Sequence, residues 1–229
     1  MFSLKGKRIF VVSPHPDDEV IGCGGLLSKA KRDGANVFVL YMCVGSTRQL
    51  VTGSTNPDTR IKEAKNVAKF CGFDYTFVYV GEQFLRLDMV PQKELIDHIE
   101  DKISEFNPDI VCIPSGNSYD QDHRVVFTAC ITALRPVPAS VRKMPSIVLE
   151  YEEPYSWSVG QSEKPNFYIE LTEKDARNKV KAMSLHATQH RKDPFPRSGE
   201  NLIRWLQIRG KEIGSFYAEA FKCHRMAVR

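Results

Sequence analysis

Apolar residues fall along this chain in two alternating kinds of block. Short runs rich in Val, Ile and Phe are separated by longer stretches whose apolar positions recur at helical spacing. "KRIFVVSP" predicts a buried strand ending at a proline, and "VIGCGGLLSKAKRDG" a helix closed by Gly34. "NVFVLYMCV" and "DYTFVYV" predict further strands around the helix "TRIKEAKNVAKFCG". "VPQKELIDHIEDKISEFNP" is a helix with charges on its outer face, "DIVCIP" a fourth strand and "DHRVVFTACITALR" a fourth helix. Strand and helix thus alternate four times with short connections, which predicts a parallel sheet covered by helices on both faces.

After Arg135 the rhythm breaks into a proline-rich stretch with two strand-like runs, "SIVLEYE" and "NFYIEL", expected to extend the sheet edge. Two further helices follow, "EKDARNKVKAMSLHATQHR" and "GENLIRWLQIRGKEIG". With no internal repeat and no linker, residues 1–229 read as one domain: a Rossmann-like three-layer α/β/α sandwich with a mostly parallel sheet.

This architecture locates a site. In open α/β sheets, ligands bind beyond the carboxyl ends of the strands where strand order reverses. If the first four strands take the order 3-2-1-4, the loops "SPHPDDE" and "PSGNSYDQDHR" emerge side by side. The consecutive carboxylates Asp17, Asp18 and Glu19 repel one another, so either the start of the following helix solvates them or a cation gathers them. His15 and Asp18, with His123 arriving from the neighbouring strand, make a hard, two-imidazole set suited to Zn²⁺, with Fe²⁺ the main rival. Asp17, if not itself a ligand, is free to act as a base. "GCGG" lacks dinucleotide-loop spacing and reads as close helix–strand packing, which disfavours a nucleotide site. His186 and His190, spaced i,i+4, read as a surface helix end, with His186 the nearer to the site.

Composition narrows the class. Hydrophobic residues make up 42% and charged residues 26%, as in an ordinary globular protein. A net charge of +4 with scattered Lys and Arg argues against nucleic acid, and the basic "KCHRMAVR" reads as a solvated tail. No apolar run reaches bilayer-spanning length, and the N-terminal stretch is too quickly interrupted for a signal peptide. The six cysteines, mostly inside apolar segments, fit buried thiols of a cytoplasmic protein.

"PHPDDE" after the first strand and "DQDHR" after the fourth resemble the LmbE-like (PIG-L) zinc-dependent de-N-acetylases, soluble bacterial branch. "RIKEA", "RLD", "HATQ" and "RGKEIGSFYAEAF" extend the resemblance over nearly the whole chain. It implies hydrolysis of an acetamido group on an N-acetylglucosamine-type sugar or conjugate. His15, Asp18 and His123 match the zinc ligands, Asp17 the general base, and Arg60, Asp88 and His186 substrate-recognition positions. Taken alone, Arg60 reads equally as an exposed arginine paired with Glu63. One departure stands out. Many members carry a histidine three residues before the last ligand, serving the oxyanion or leaving amine, and here that catalytic position is Asp120. A metal- and sugar-binding protein without activity, or an amidohydrolase of a non-sugar amide, are the alternative readings; a homo-oligomer is also compatible.

Overall fold

The computed structural model describes residues 3–49, 53–153 and 164–228. Its core is a seven-stranded sheet in the order β5-β2-β1-β6-β7-β9-β8. The strands are β1 (Arg8–Ser13), β2 (Asn36–Val44), β5 (Asp74–Val80), β6 (Ile110–Ile113), β7 (Ile147–Tyr151), β8 (Phe167–Leu171) and β9 (Tyr217–Met226). From β5 to β7 every pairing is parallel, and β9 runs antiparallel to both β7 and β8. A separate two-stranded ribbon pairs β3 (Thr47–Gln49) with β4 (Gly53–Thr55). The expected 3-2-1-4 order is therefore present as β5-β2-β1-β6, and β1 and β6 flank the switch point.

Helices α1 (Asp18–Asp33), α2 (Pro57–Cys71), α5 (Glu173–Leu185) and α6 (Gly199–Glu212) cover one face. Helices α3 (Gln92–Phe106) and α4 (Gln121–Ala133) cover the other. Side chains alternate between faces along a strand, so Ile9 and Val11 enter the first core while Phe10 and Val12 enter the second. Both faces being buried is why these strands read as unbroken apolar runs.

Three expectations are corrected. The basic C-terminal stretch is no solvated tail: Lys222–Met226 belong to β9, which inserts between β7 and β8. Strand β7 consequently lies inside the sheet, and of the two late strand-like runs only β8 forms an edge, opposite β5. The helix expected through Arg191 ends at Leu185, with His186 at its cap. The six cysteines are unpaired thiols, five of them buried.

The glycines of α1 pack as their spacing suggested. A Cβ on Gly22 would lie 2.3 Å from Cδ2 of Tyr151, whose hydroxyl donates to the Val12 carbonyl at 3.1 Å. A Cβ on Gly25 would meet Leu171 at 2.3 Å and the Glu219 carboxylate at 3.0 Å. That carboxylate accepts from the Gly25 and Leu26 amides and from Lys179 Nζ, all in the interior. Gly22→Ala should therefore destabilise the protein by about 1–3 kcal/mol, the usual cost of overpacking. Denaturant unfolding measures it, and an unchanged midpoint would mean that the Tyr151 ring yields freely.

Candidate active site

The loops after β1 and β6 meet as expected, and they sort the three consecutive carboxylates into three directions. Asp18, the first residue of α1, turns its Oδ2 toward both histidines. It lies 3.6 Å from His15 Nδ1 and 3.1 Å from His123 Nε2, and it accepts the His15 backbone N–H at 2.9 Å. Glu19 turns inward, where its Oε2 accepts the Asp17 amide at 2.9 Å and its Oε1 pairs with His186 Nε2 at 2.8 Å. Asp17 faces two arginines: Arg197 donates to its Oδ2 at 2.9 Å, and Arg60 Nη2 lies 3.6 Å from its Oδ1.

This sorting needs an unusual backbone at Asp17, whose φ is 121°. Such a conformation costs a residue with a side chain about 1–3 kcal/mol. The surroundings impose it: Glu19 holds the Asp17 amide, and the Asp17 carbonyl accepts from Val20 and Ile21 at the start of α1. The strain points Asp17 and Asp18 to different partners, although they are neighbours in sequence.

Each histidine reaches Asp18 with one nitrogen and is braced through the other. His15 Nε2 pairs with Asp122 Oδ2 at 2.9 Å, and Asp122 Oδ1 is fixed by the Leu87 amide at 2.9 Å. His123 Nδ1 pairs with Glu153 at 2.5 Å. A carboxylate behind each imidazole fixes ring orientation and tautomer, as it does for metal-bound histidines. Asp120 joins from the N-cap of α4; one ligand atom each from His15, Asp120 and His123 lie within 4.8 Å of one another. Phe84 closes one side, its ring edge-on to His15 at 4.9 Å and under the Arg60 guanidinium at 5.1 Å.

Buried charge sets the protonation. Burial alone lowers the His123 pKa, but the Asp18 and Glu153 carboxylates outweigh it and raise the value well above the ordinary one. Burial likewise works against the Asp18 anion, and His123 and His15 overcome it and hold the carboxyl below its usual range. For Asp17, burial and then the Asp18 charge raise the pKa, against Arg197 and Arg60. Two imidazoles and a carboxylate converging on one point, each imidazole held from behind, suit a divalent ion.

The remaining candidates lie further out. Arg60 is not exposed at a helix start; it is 2% accessible, and Glu63 bonds the Thr188 amide and hydroxyl instead of pairing with it. His186 stands at a helix end, the cap of α5, but it is fully buried beneath Glu19 and not at the surface. Asp88 is exposed in the turn Leu87–Met89, and among the described residues no hydrogen bond or ion pair joins it to the cluster. Three residues were missed from sequence: Asp122, Glu153 and Arg197. Asp122 sits inside the quoted motif, but Glu153 and Arg197 fall in irregular segments without periodicity.

Residues 10–134, more than half of the chain, match the family model of PIG-L, described as GlcNAc-PI de-N-acetylase. The chain belongs to the PIG-L family. The PIG-L match spans His15 through His123, while Glu153, His186 and Arg197 lie beyond it. A diacetylchitobiose deacetylase of Thermococcus kodakarensis is 25% identical over 226 residues, covering 94% of this chain and 82% of the relative. The solved N,N'-diacetylchitobiose deacetylase of Pyrococcus horikoshii superposes with a TM-score of 0.74 at 22% identity, covering 97% of this chain and 87% of that one. The 4-carboxy-2-hydroxymuconate hydratase of Pseudomonas putida KT2440 superposes with a TM-score of 0.73 at 20% identity, over 97% and 98%. Family and relatives place this PIG-L chain among hydrolases that cleave amides. No described helix is long and apolar enough to cross a membrane.

The braces behind the histidines are testable. Asp122→Asn and Glu153→Gln should each weaken metal affinity by roughly 10–100-fold, the usual worth of such partners. Competition with a chelating dye measures this, and wild-type affinity in both variants would remove them from the site.

Proposed function

We propose that this chain removes the acetyl group from an N-acetylglucosamine-type sugar or sugar conjugate, at a divalent ion held by His15, Asp18 and His123. Zinc is the first choice for that donor set and Fe²⁺ the second. The observation that carries the reading is the separation of the two neighbouring aspartates: Asp18 faces the imidazoles, while Asp17 stands apart from them against Arg197 and Arg60. A protein that only bound an ion would have no use for the second, strained carboxylate.

The bound ion supplies Lewis acidity toward water and the amide carbonyl. Asp17, buried next to Asp18 and held by Arg197, takes the proton from the attacking water. The same carboxyl then hands the proton to the departing amine. Glu19, held by His186, keeps Asp17 in its strained orientation. Arg60 and Arg197 place fixed positive charge beside the reacting groups, where negative charge develops on the carbonyl oxygen. Arg60 and His186 serve this site through Asp17 and Glu19, and Asp88 is left to contact an outlying part of the substrate.

Acetate release, followed over a panel of N-acetylated sugars, conjugates and non-sugar amides, tests the reading. Release from the amino sugars is expected. Release confined to non-sugar amides would move the substrate class, and metal binding without release from any amide would favour a binding protein.

A further inference from the structure

We infer that the groove between α1, α2 and α5 binds a small anionic amphiphile, with an apolar body of fatty-acyl size and one phosphate or carboxylate head. The groove holds none of the residues of the catalytic cluster. Its volume is about 890 Å³, within the range of roughly 300–1,000 Å³ usual for small-molecule sites.

Each helix gives the groove one stripe of its surface. Ser28, Lys31 and Arg32 come from α1, and Asn66, Lys69 and Phe70 from α2. Helix α5 adds Lys174, Asn178, Lys181 and Leu185. Steps of three and four residues keep each set on a single helix face. The floor is apolar: Cys71 is buried, and Phe70 and Leu185 are partly buried against the core on this side of the sheet.

The rim is cationic. Lys31, Arg32, Lys69, Lys174 and Lys181 line the groove against one acid, Asp175. That acid is already engaged. It accepts from Ser28 Oγ at 2.8 Å, from the Thr172 hydroxyl at 2.7 Å and amide at 3.0 Å, and from Arg32. Lys31 donates to the Phe70 carbonyl at 2.6 Å. Lys69, Lys174 and Lys181 are exposed, and among the described residues no hydrogen bond or ion pair engages their ammonium groups. Lys29, Lys93 and Lys102, by contrast, each pair with an acid on their own helix. No acid stands three or four residues from Lys69 on α2, or from Lys174 and Lys181 on α5.

Like charges around a concave wall raise a positive potential inside it, which an anion relieves. Floor and rim therefore ask for different parts of one ligand. A bare phosphate would leave the apolar floor wet, and a neutral lipid would leave the lysines unanswered.

The test titrates decyl phosphate and decanoate into the full chain by calorimetry, both below their micellar concentrations. Inorganic phosphate and the neutral decyl ether of tetraethylene glycol serve as head-only and body-only probes. Hydrogen exchange locates the bound molecule. The triple variant Lys69→Gln, Lys174→Gln, Lys181→Gln removes exposed side chains only, and circular dichroism checks its fold. Saturable binding of at least one of the two anionic amphiphiles at one per chain is expected, with exchange protection confined to the ends of α1 and α2 and to α5. The triple variant should bind about tenfold or more weakly, since each exposed ion pair is worth up to about fivefold. Both partial probes should bind more weakly than the amphiphiles. Absence of saturable binding, wild-type affinity in the triple variant, equal affinity for the neutral ether, or protection centred on His15 and His123 would overturn the inference. Binding to phosphatidylglycerol vesicles but to neither amphiphile would also overturn it, in favour of a membrane contact. Acetate release plays no part in these readouts, so their failure leaves the proposed function standing.

Discussion

Asp17→Asn should lower turnover by roughly two to four orders of magnitude while metal content stays at the wild-type level, the usual worth of a positioned general base. The asparagine keeps the size of the side chain and can still accept from Arg197, which donates at 2.9 Å, so the backbone strain at this position remains supported. What it loses is the ability to take a proton. Asp18→Asn should behave in the opposite sense: its Oδ2 is the atom shared by His15 and His123, and neutralising it should empty the site before any effect on chemistry is read. Metal analysis alongside initial rates distinguishes the two. An Asp17 variant depleted of metal, or an Asp18 variant with full metal and a low rate, would exchange the two roles.

The second large effect concerns the imidazoles. His15→Ala and His123→Ala each remove one neutral donor and leave its brace, Asp122 or Glu153, without the ring it orients. Each buried carboxylate then adds uncompensated negative charge, so the cavity loses a ligand and gains disorder at once. Occupancy should fall sharply in both variants, and turnover should fall with it to the level of the metal-stripped protein. Full occupancy in both would show that the ion, if any, is held elsewhere.

The parts of this molecule legible in its sequence are those governed by local pattern. Strands β1, β2 and β6 lie between two helical layers, so their apolar runs are unbroken, and the crossover rhythm fixes their parallel order with the edge strand β5. The meeting of His15 with His123 followed from that order alone. What stayed hidden depends on distant pairing. Strand β9 carries Lys222, His224 and Arg225 among its apolar residues, so its composition suggests a tail until β7 and β8 are seen on either side. Arg60 and His186 read as surface residues because charge and polarity normally stay in water, yet Asp17 and Glu19 supply buried partners. Arg197 comes from the irregular stretch before α6, and Glu153 from the proline-rich stretch after β7; neither carries a periodic signal.

The hydratase among the similar structures shows that this fold carries more than one chemistry. The decision therefore belongs to the site, and to the dependence of amide cleavage on its ion. The most direct measurement is to strip the protein with a chelator, titrate zinc back, and follow acetate release from an N-acetylglucosamine conjugate at each step. The account predicts no release from the stripped protein, a linear rise with added zinc, and a break at one ion per chain. Acetate release that persists without the ion, or zinc bound at one per chain with no release, would contradict it.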